Sequence, residues 1–141
     1  DFFGRERELA RIEREIKSDG QSAILVYGRR RVGKSELIKQ SLSTTNCRSI
    51  YYDPKQNNLE SLSALVSEVF DLPPLGFGNL EALLNHLFTL SVKEPLTLVL
   101  DEYPYLRKTV KGLDSILQSL LDRHRDSSHL TLILCGSFVE V

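Results

Sequence analysis

Residues 22–35 read SAILVYGRRRVGKS, and this stretch decides the fold. Its first part, residues 22–27, is a short apolar run bounded by polar residues, the pattern of a buried strand. Directly after it, Gly28-Arg29-Arg30-Arg31-Val32-Gly33-Lys34-Ser35 fits G-x-x-x-x-G-K-[ST], the phosphate-loop or Walker A pattern. The spacing has a chemical reason. Glycines let the chain curl tightly and bring backbone N–H groups against phosphate oxygens. A helix predicted from Lys34 to about residue 43 turns its positive end toward the anion. The candidate nucleotide-binding positions are therefore Gly28, Arg31, Val32, Gly33, Lys34, Ser35 and Glu36. Lys34 would reach the β- and γ-phosphates, and Ser35 would place its hydroxyl on a magnesium ion. The side chains of Arg29, Arg30 and Arg31 either add positive potential at the phosphates or project to solvent.

Such a loop needs a carboxylate to hold the metal's hydration shell. The apolar run LTLVL, residues 96–100, ends in Asp101-Glu102. An apolar strand ending in Asp is the Walker B arrangement, which makes Asp101 the second candidate metal residue. Glu102 is placed to orient and deprotonate an attacking water. Adjacent strand residues face opposite ways, but at a strand end the chain can turn both toward one site. Ligands of open α/β sheets bind at the carboxyl ends of the strands. Gly28, Asp101 and Ser137 all follow predicted strands, so Ser137 is a candidate to sense the γ-phosphate or the water. Asp53, in YYDP, is either a site residue or a turn former before Pro54.

Around these motifs the chain alternates between strand and helix patterns. Helices are expected over residues 6–18, with Gly20 as a stop, and over the stripe Leu59, Leu62, Leu65, Val66, Val69 and Phe70, capped by Asn57 or Asn58. Prolines and glycines break residues 71–78. Asn79 caps a helix with Leu80, Leu83, Leu84, Leu87 and Phe88 inward, and Leu113 to Leu121 mark one more. Strands are expected at residues 49–52 and 130–135. Several strands are apolar on every side chain, which belongs to a parallel sheet covered by helices on both faces.

The chain is 141 residues long, one ordinary domain. Its 41% apolar and 26% charged residues exclude a disordered tail, a collagen-like repeat and a disulfide scaffold. Lys plus Arg number 18 against 19 Asp plus Glu, which gives no broad attraction to DNA or anionic lipid. No apolar stretch is long enough to span a membrane, and the charged start DFFGRERELA is no signal peptide. Cys47 and Cys135 lack metal-ligand spacing and are read as buried free thiols in a reducing, cytoplasmic compartment. His86, His124 and His129 share no metal spacing and are read as structural or exposed. Methionine is absent, so the sequence is read as part of a longer chain.

The opening Phe3-Gly4-Arg5-Glu6-Arg7-Glu8-Leu9, the loop GRRRVGKS, the run LTLVLDEYPYL and the run LTLILCGS stand in one order. In this the chain resembles the archaeal-type ATPase family, of the AAA+/STAND branch of P-loop ATPases. The resemblance implies a three-layer α/β/α fold with a mostly parallel sheet. The last strand here would lie between the phosphate-loop strand and the Asp-Glu strand. It implies ATP with Mg²⁺, and assigns phosphate and metal roles to Lys34 and Ser35, the metal-water role to Asp101 and the catalytic base to Glu102. Ser137 falls at the position called sensor 1. The G-R-E box makes Phe3, Gly4 and Arg5 base or ribose contacts, the alternative being a capping turn before Glu6. Residues 1–141 would be the ATPase core, with a fifth core strand, a helical lid and a C-terminal domain beyond them. Protein or nucleic-acid clients and an oligomer would belong to such a larger module. Four functions are weighed. An ATPase driving conformational change leads, ahead of a nucleotide-dependent switch or scaffold with negligible hydrolysis. A small-molecule kinase and a nucleic-acid binder using Arg29 to Arg31 come behind.

Overall fold

Every residue of Leu96–Leu100 is fully buried, on both faces of the strand. A strand of that kind needs neighbours on both edges and helices on both sides. The computed structural model of the chain, which describes residues 20–29, 34–43, 47–74 and 76–138, supplies them. In chain order the elements are β1 (Ser22–Arg29), α1 (Lys34–Ser43), β2 (Arg48–Tyr52), α2 (Leu59–Val69), α3 (Leu80–Leu90), β3 (Leu96–Leu100), α4 (Tyr103–Thr109), α5 (Leu113–Arg123) and β4 (Leu130–Phe138). The sheet has the order β1-β4-β3-β2, and all three pairings are parallel. The last strand therefore lies between the first and the Asp-Glu strand, as expected. The helix expected over residues 6–18 lies outside the described residues.

The two faces of the sheet carry separate cores. On one, Ile24 and Val26 of β1, Val99 of β3, and Ile133 and Cys135 of β4 pack around Ile38 of α1. On the other, the alternate strand residues Ile50, Tyr52, Leu96, Leu98, Leu100, Leu130 and Leu132 meet α2, α3, α4 and α5. This gives the three layers, with period-two alternation deciding which residue goes to which side.

Local chemistry places the helix starts. Asn58, rather than Asn57, caps α2: its Oδ1 accepts from the Ser61 N–H at 2.8 Å, while Ser61 Oγ accepts from the Asn58 N–H at 2.9 Å. Asn79 Oδ1 accepts from the Ala82 N–H at 2.8 Å to start α3. Three expectations need correction. Strands β1 and β4 run on to Arg29 and Phe138, because their ladder pairs Gly28 with Ser137 and Arg29 with Phe138. Gly28 and Ser137 are thus strand residues. Helix α4 has no counterpart in the sequence reading: it is seven residues long, and only Tyr103 and Leu106 are buried. Pro104 sits in its first turn, where a missing N–H costs nothing. Cys135 is buried as expected, but Cys47 is only half-buried, and neither is in a disulfide.

Tyr52 lies in the larger core, 7% exposed. Burial raises its pKa above the usual 10.0, with smaller contributions from Asp53 and Tyr105. The folded chain therefore keeps a proton that the unfolded chain loses once the pH exceeds 10.0. By linkage, stability falls as pH rises through that window, and Tyr52 contributes no pH dependence below it. Urea titrations above pH 10 are expected to show a shallower fall for Tyr52→Phe than for the parent. In the same assay at neutral pH, Leu98→Ala should cost about 3 kcal/mol, because it opens a cavity in a fully buried layer. Leu25→Ala, at a residue 53% exposed, should cost under about 1 kcal/mol.

Candidate functional site

The site is built on the carboxyl edge of the sheet. Leu100 is level with Leu134, and Leu134 is level with Leu25. Counting outward, Asp101 stands level with Cys135 and Val26. Gly28 and Ser137, paired with each other, lie two residues further along the same edge, about 7 Å of strand. β1 and β4 thus both continue past the level of Asp101. Strand alternation puts Asp101 on the side of Val99, which is the face that α1 covers.

Asp101 is 3% exposed, an unusual place for a carboxylate. Its partners explain how it is tolerated. Oδ1 accepts the Glu102 N–H at 2.7 Å, and Oδ2 accepts the Tyr51 hydroxyl. Its own N–H donates to Tyr52 O at 2.8 Å, which carries the β2–β3 ladder one step past the strand. Tyr51 lies on the α1 face, level with Val99, and the Lys39 ammonium of α1 sits 5.2 Å from its ring centroid. A cation over the ring face is favourable. The chain Lys39, Tyr51, Asp101 thereby joins α1 to the end of β3.

Glu102 follows in the left-handed conformation, φ 51° and ψ 44°. A non-glycine residue there carries roughly 1–2 kcal/mol of strain. The bend is what ends β3 and starts α4: Glu102 O accepts from the N–H groups of Tyr105 and Leu106, both at 3.0 Å. It also sends the Glu102 carboxylate toward the turn after β2, where Lys55 Nζ lies 3.4 Å from Oε1. Lys55 in turn lies 5.7 Å from the Tyr105 ring centroid. Both members of the ion pair are partly exposed, so it is screened and contributes under about 1 kcal/mol. Asp53, left open between two roles, is a turn former: its Oδ1 accepts the Lys55 N–H at 3.0 Å and its carbonyl accepts from Gln56 and Asn57.

Of the sequence-derived site residues, Asp101 and Glu102 are brought to one edge with the backbones of Gly28 and Ser137. Lys34, Ser35 and Glu36 form the first turn of α1. For these three and for Ser137 the description covers the backbone alone. Phe3, Gly4, Arg5, Arg31, Val32 and Gly33 lie outside the described residues. Tyr51 and Lys55 were missed. A tyrosine before YD and a lysine after DP carry no motif, and only strand pairing brings them to the carboxylates. His86 and His124 are ring partners of Phe77 and Phe88, and His129 is exposed. No cluster of three or more His, Cys, Asp or Glu that could hold a metal occurs among the described residues. Nor is any helix there long and apolar enough to cross a membrane.

Comparison with known proteins agrees with this architecture. An uncharacterized protein of Methanocaldococcus jannaschii is 30% identical over 141 residues, covering 99% of this chain and 30% of that protein. Among solved structures, Cdc6p from Pyrobaculum aerophilum is similar with a TM-score of 0.62 at 16% identity, over 98% of this chain and 40% of that one. The Drosophila ORC bound to DNA gives 0.67 at 16% identity, over 96% and 38%. The Aeropyrum pernix ORC1 protein in complex with DNA gives 0.64 at 17%, over 96% and 39%. At such identities these likenesses speak for the fold alone. The chain spans well under half the length of each of these proteins. A family model described as an ATPase domain predominantly from Archaea matches residues 2–139, and the chain belongs to that family.

Proposed function

We propose that the chain binds Mg-ATP in the turn between β1 and α1 and hydrolyses it, coupling turnover to conformational change. The observation that carries this reading is the buried Asp101 carboxylate, held by two neutral donors on the α1 face beside the strand that pairs with β1. The donor set suits a hard dication. A carboxylate oxygen is the kind of ligand atom magnesium prefers.

In this reading the backbone amides after Gly28, with the first turn of α1, donate to the phosphate oxygens. Lys34 donates to β- and γ-phosphate oxygens. Ser35 and Asp101 hold the metal, Ser35 through its hydroxyl and Asp101 through bound waters. Magnesium, when bound, neutralises charge on the phosphates. Glu102 orients the attacking water and accepts its proton, while Ser137 hydrogen-bonds the γ-phosphate or that water. Phe3, Gly4 and Arg5 contact the base or ribose. Turnover requires Glu102 to give up Lys55, which the weakness of that exposed pair permits.

The same pair supports a second reading. With its carboxylate engaged by Lys55, the chain would bind ATP or ADP and switch shape with negligible hydrolysis. Nucleic acid forms no part of the function proposed for these residues, because 18 basic side chains are balanced by 19 acidic ones. Clients and an oligomer remain properties proposed for a larger assembly.

Calorimetry with Mg-ATP is expected to give binding heat, and Lys34→Ala should weaken binding at least about tenfold. Glu102→Gln should bind as the parent does and lose turnover by about 100-fold or more. Absence of heat with both Mg-ATP and Mg-ADP would overturn the nucleotide reading. Tight binding with no turnover in the parent would select the switch.

A further inference from the structure

We propose that Tyr51 is a positioning residue for Asp101, fixing the carboxylate in the orientation in which it meets the hydrated metal. The inference rests on the nucleotide reading above and deepens it. A carboxylate at the end of a strand rotates about its Cβ–Cγ bond unless both oxygens are engaged. Here the Glu102 N–H takes Oδ1, and the Tyr51 hydroxyl takes Oδ2. The first donor is backbone, and any residue but proline at position 102 would supply it. The second is a side chain from a different strand, placed by the register that sets Tyr51 level with Val99. The plane of the carboxylate is therefore set by β2, the edge strand of the described sheet. The Lys39 ammonium of α1 lies over the Tyr51 ring, 5.2 Å from its centroid, and touches the ring face rather than the hydroxyl that holds the carboxylate.

The chemistry of the donor matters. A phenol holds the carboxylate by one hydrogen bond and leaves its negative charge available to a cation. Lysine or arginine at this place would fix the group equally well and compete with the metal. Outer-sphere hydrogen bonds of this kind orient metal-site groups and set metal affinity, and their loss is typically felt as a 10- to 100-fold change in that affinity.

Tyr51→Phe keeps the ring and removes the hydroxyl. The test is binding of a fluorescent ATP analogue titrated against magnesium. In the parent, added magnesium should tighten nucleotide binding. In Tyr51→Phe the magnesium concentration at half effect should rise roughly tenfold, while affinity in EDTA stays within about twofold of the parent. That magnesium-free affinity reports whether the variant has folded. Lys39→Ala removes the cation over the same ring and leaves the hydroxyl, and its magnesium midpoint should stay within about threefold of the parent. An unchanged midpoint in Tyr51→Phe would overturn the proposal, and so would equal shifts in Tyr51→Phe and Lys39→Ala, which would mark a packing effect. A parent whose nucleotide binding ignores magnesium would overturn the underlying reading itself, and that outcome is visible before any variant is made.

Discussion

Burying a charge at the end of a strand that is itself closed on both faces is the constraint to which the rest of this structure answers. Leu96–Leu100 can exist only with β2 and β4 on its edges and helices above and below. The residue that follows cannot escape to water by a local flip, because the ladder continues through the Asp101 N–H to Tyr52 O. An ionised carboxylate so placed costs several kcal/mol unless hydrogen-bonded. The Tyr51 hydroxyl and the Glu102 N–H meet that requirement. The left-handed backbone at Glu102 accompanies it, since the chain must leave the strand end sharply to begin α4.

The register of the parallel ladder then places everything else. β1 and β4 continue past the level at which β3 ends, and they do so together, because each supplies the other's hydrogen bonds. The sheet edge therefore has a step about two residues high between Asp101 and the Gly28–Ser137 pair. Helix α1 packs through Ile38 on the same face as Val99 and Ile133. Its first turn and the buried carboxylate are consequently held to one side of one sheet by apolar packing.

Much of this was legible in the residues. Nearly continuous apolar runs announced a doubly covered parallel sheet, and β3, Thr97 included, is buried at all five positions. Asn79 and the pair Asn57-Asn58 announced helix starts, because a short polar side chain before an apolar stripe has one good use. Other features were not legible, and the reasons are physical. The ends of β1 and β4 lie in GR and GSF, where glycine weakens the strand pattern, and mutual pairing extends them. Helix α4 is too short for periodicity to register, and Pro104 reads as a breaker although it sits where helices accept it. Tyr51 and Lys55 reach the carboxylates across 50 and 47 positions of chain, a separation no local pattern encodes. The candidate carboxylates were found because they carry a motif, and their partners were missed because they carry none.

The two adjacent acids are treated differently by their surroundings, and the difference bears on what each can do. Asp101 is buried, its oxygens fixed by neutral donors from β2 and the chain itself. Moving it would break both bonds and strand a charge, so it suits a role that needs constancy, such as holding a metal's water shell. Glu102 is partly exposed and faces a lysine on a flexible four-carbon stem, across a pair that salt weakens. Turning it away costs little, so it suits a role that must be made and released in each cycle. The αL bend between them is what allows opposite requirements to be met by neighbours in sequence, since a continued strand would have given both acids alternating faces of one rigid ladder. A proposal in which Asp101 moved and Glu102 stayed would run against both environments.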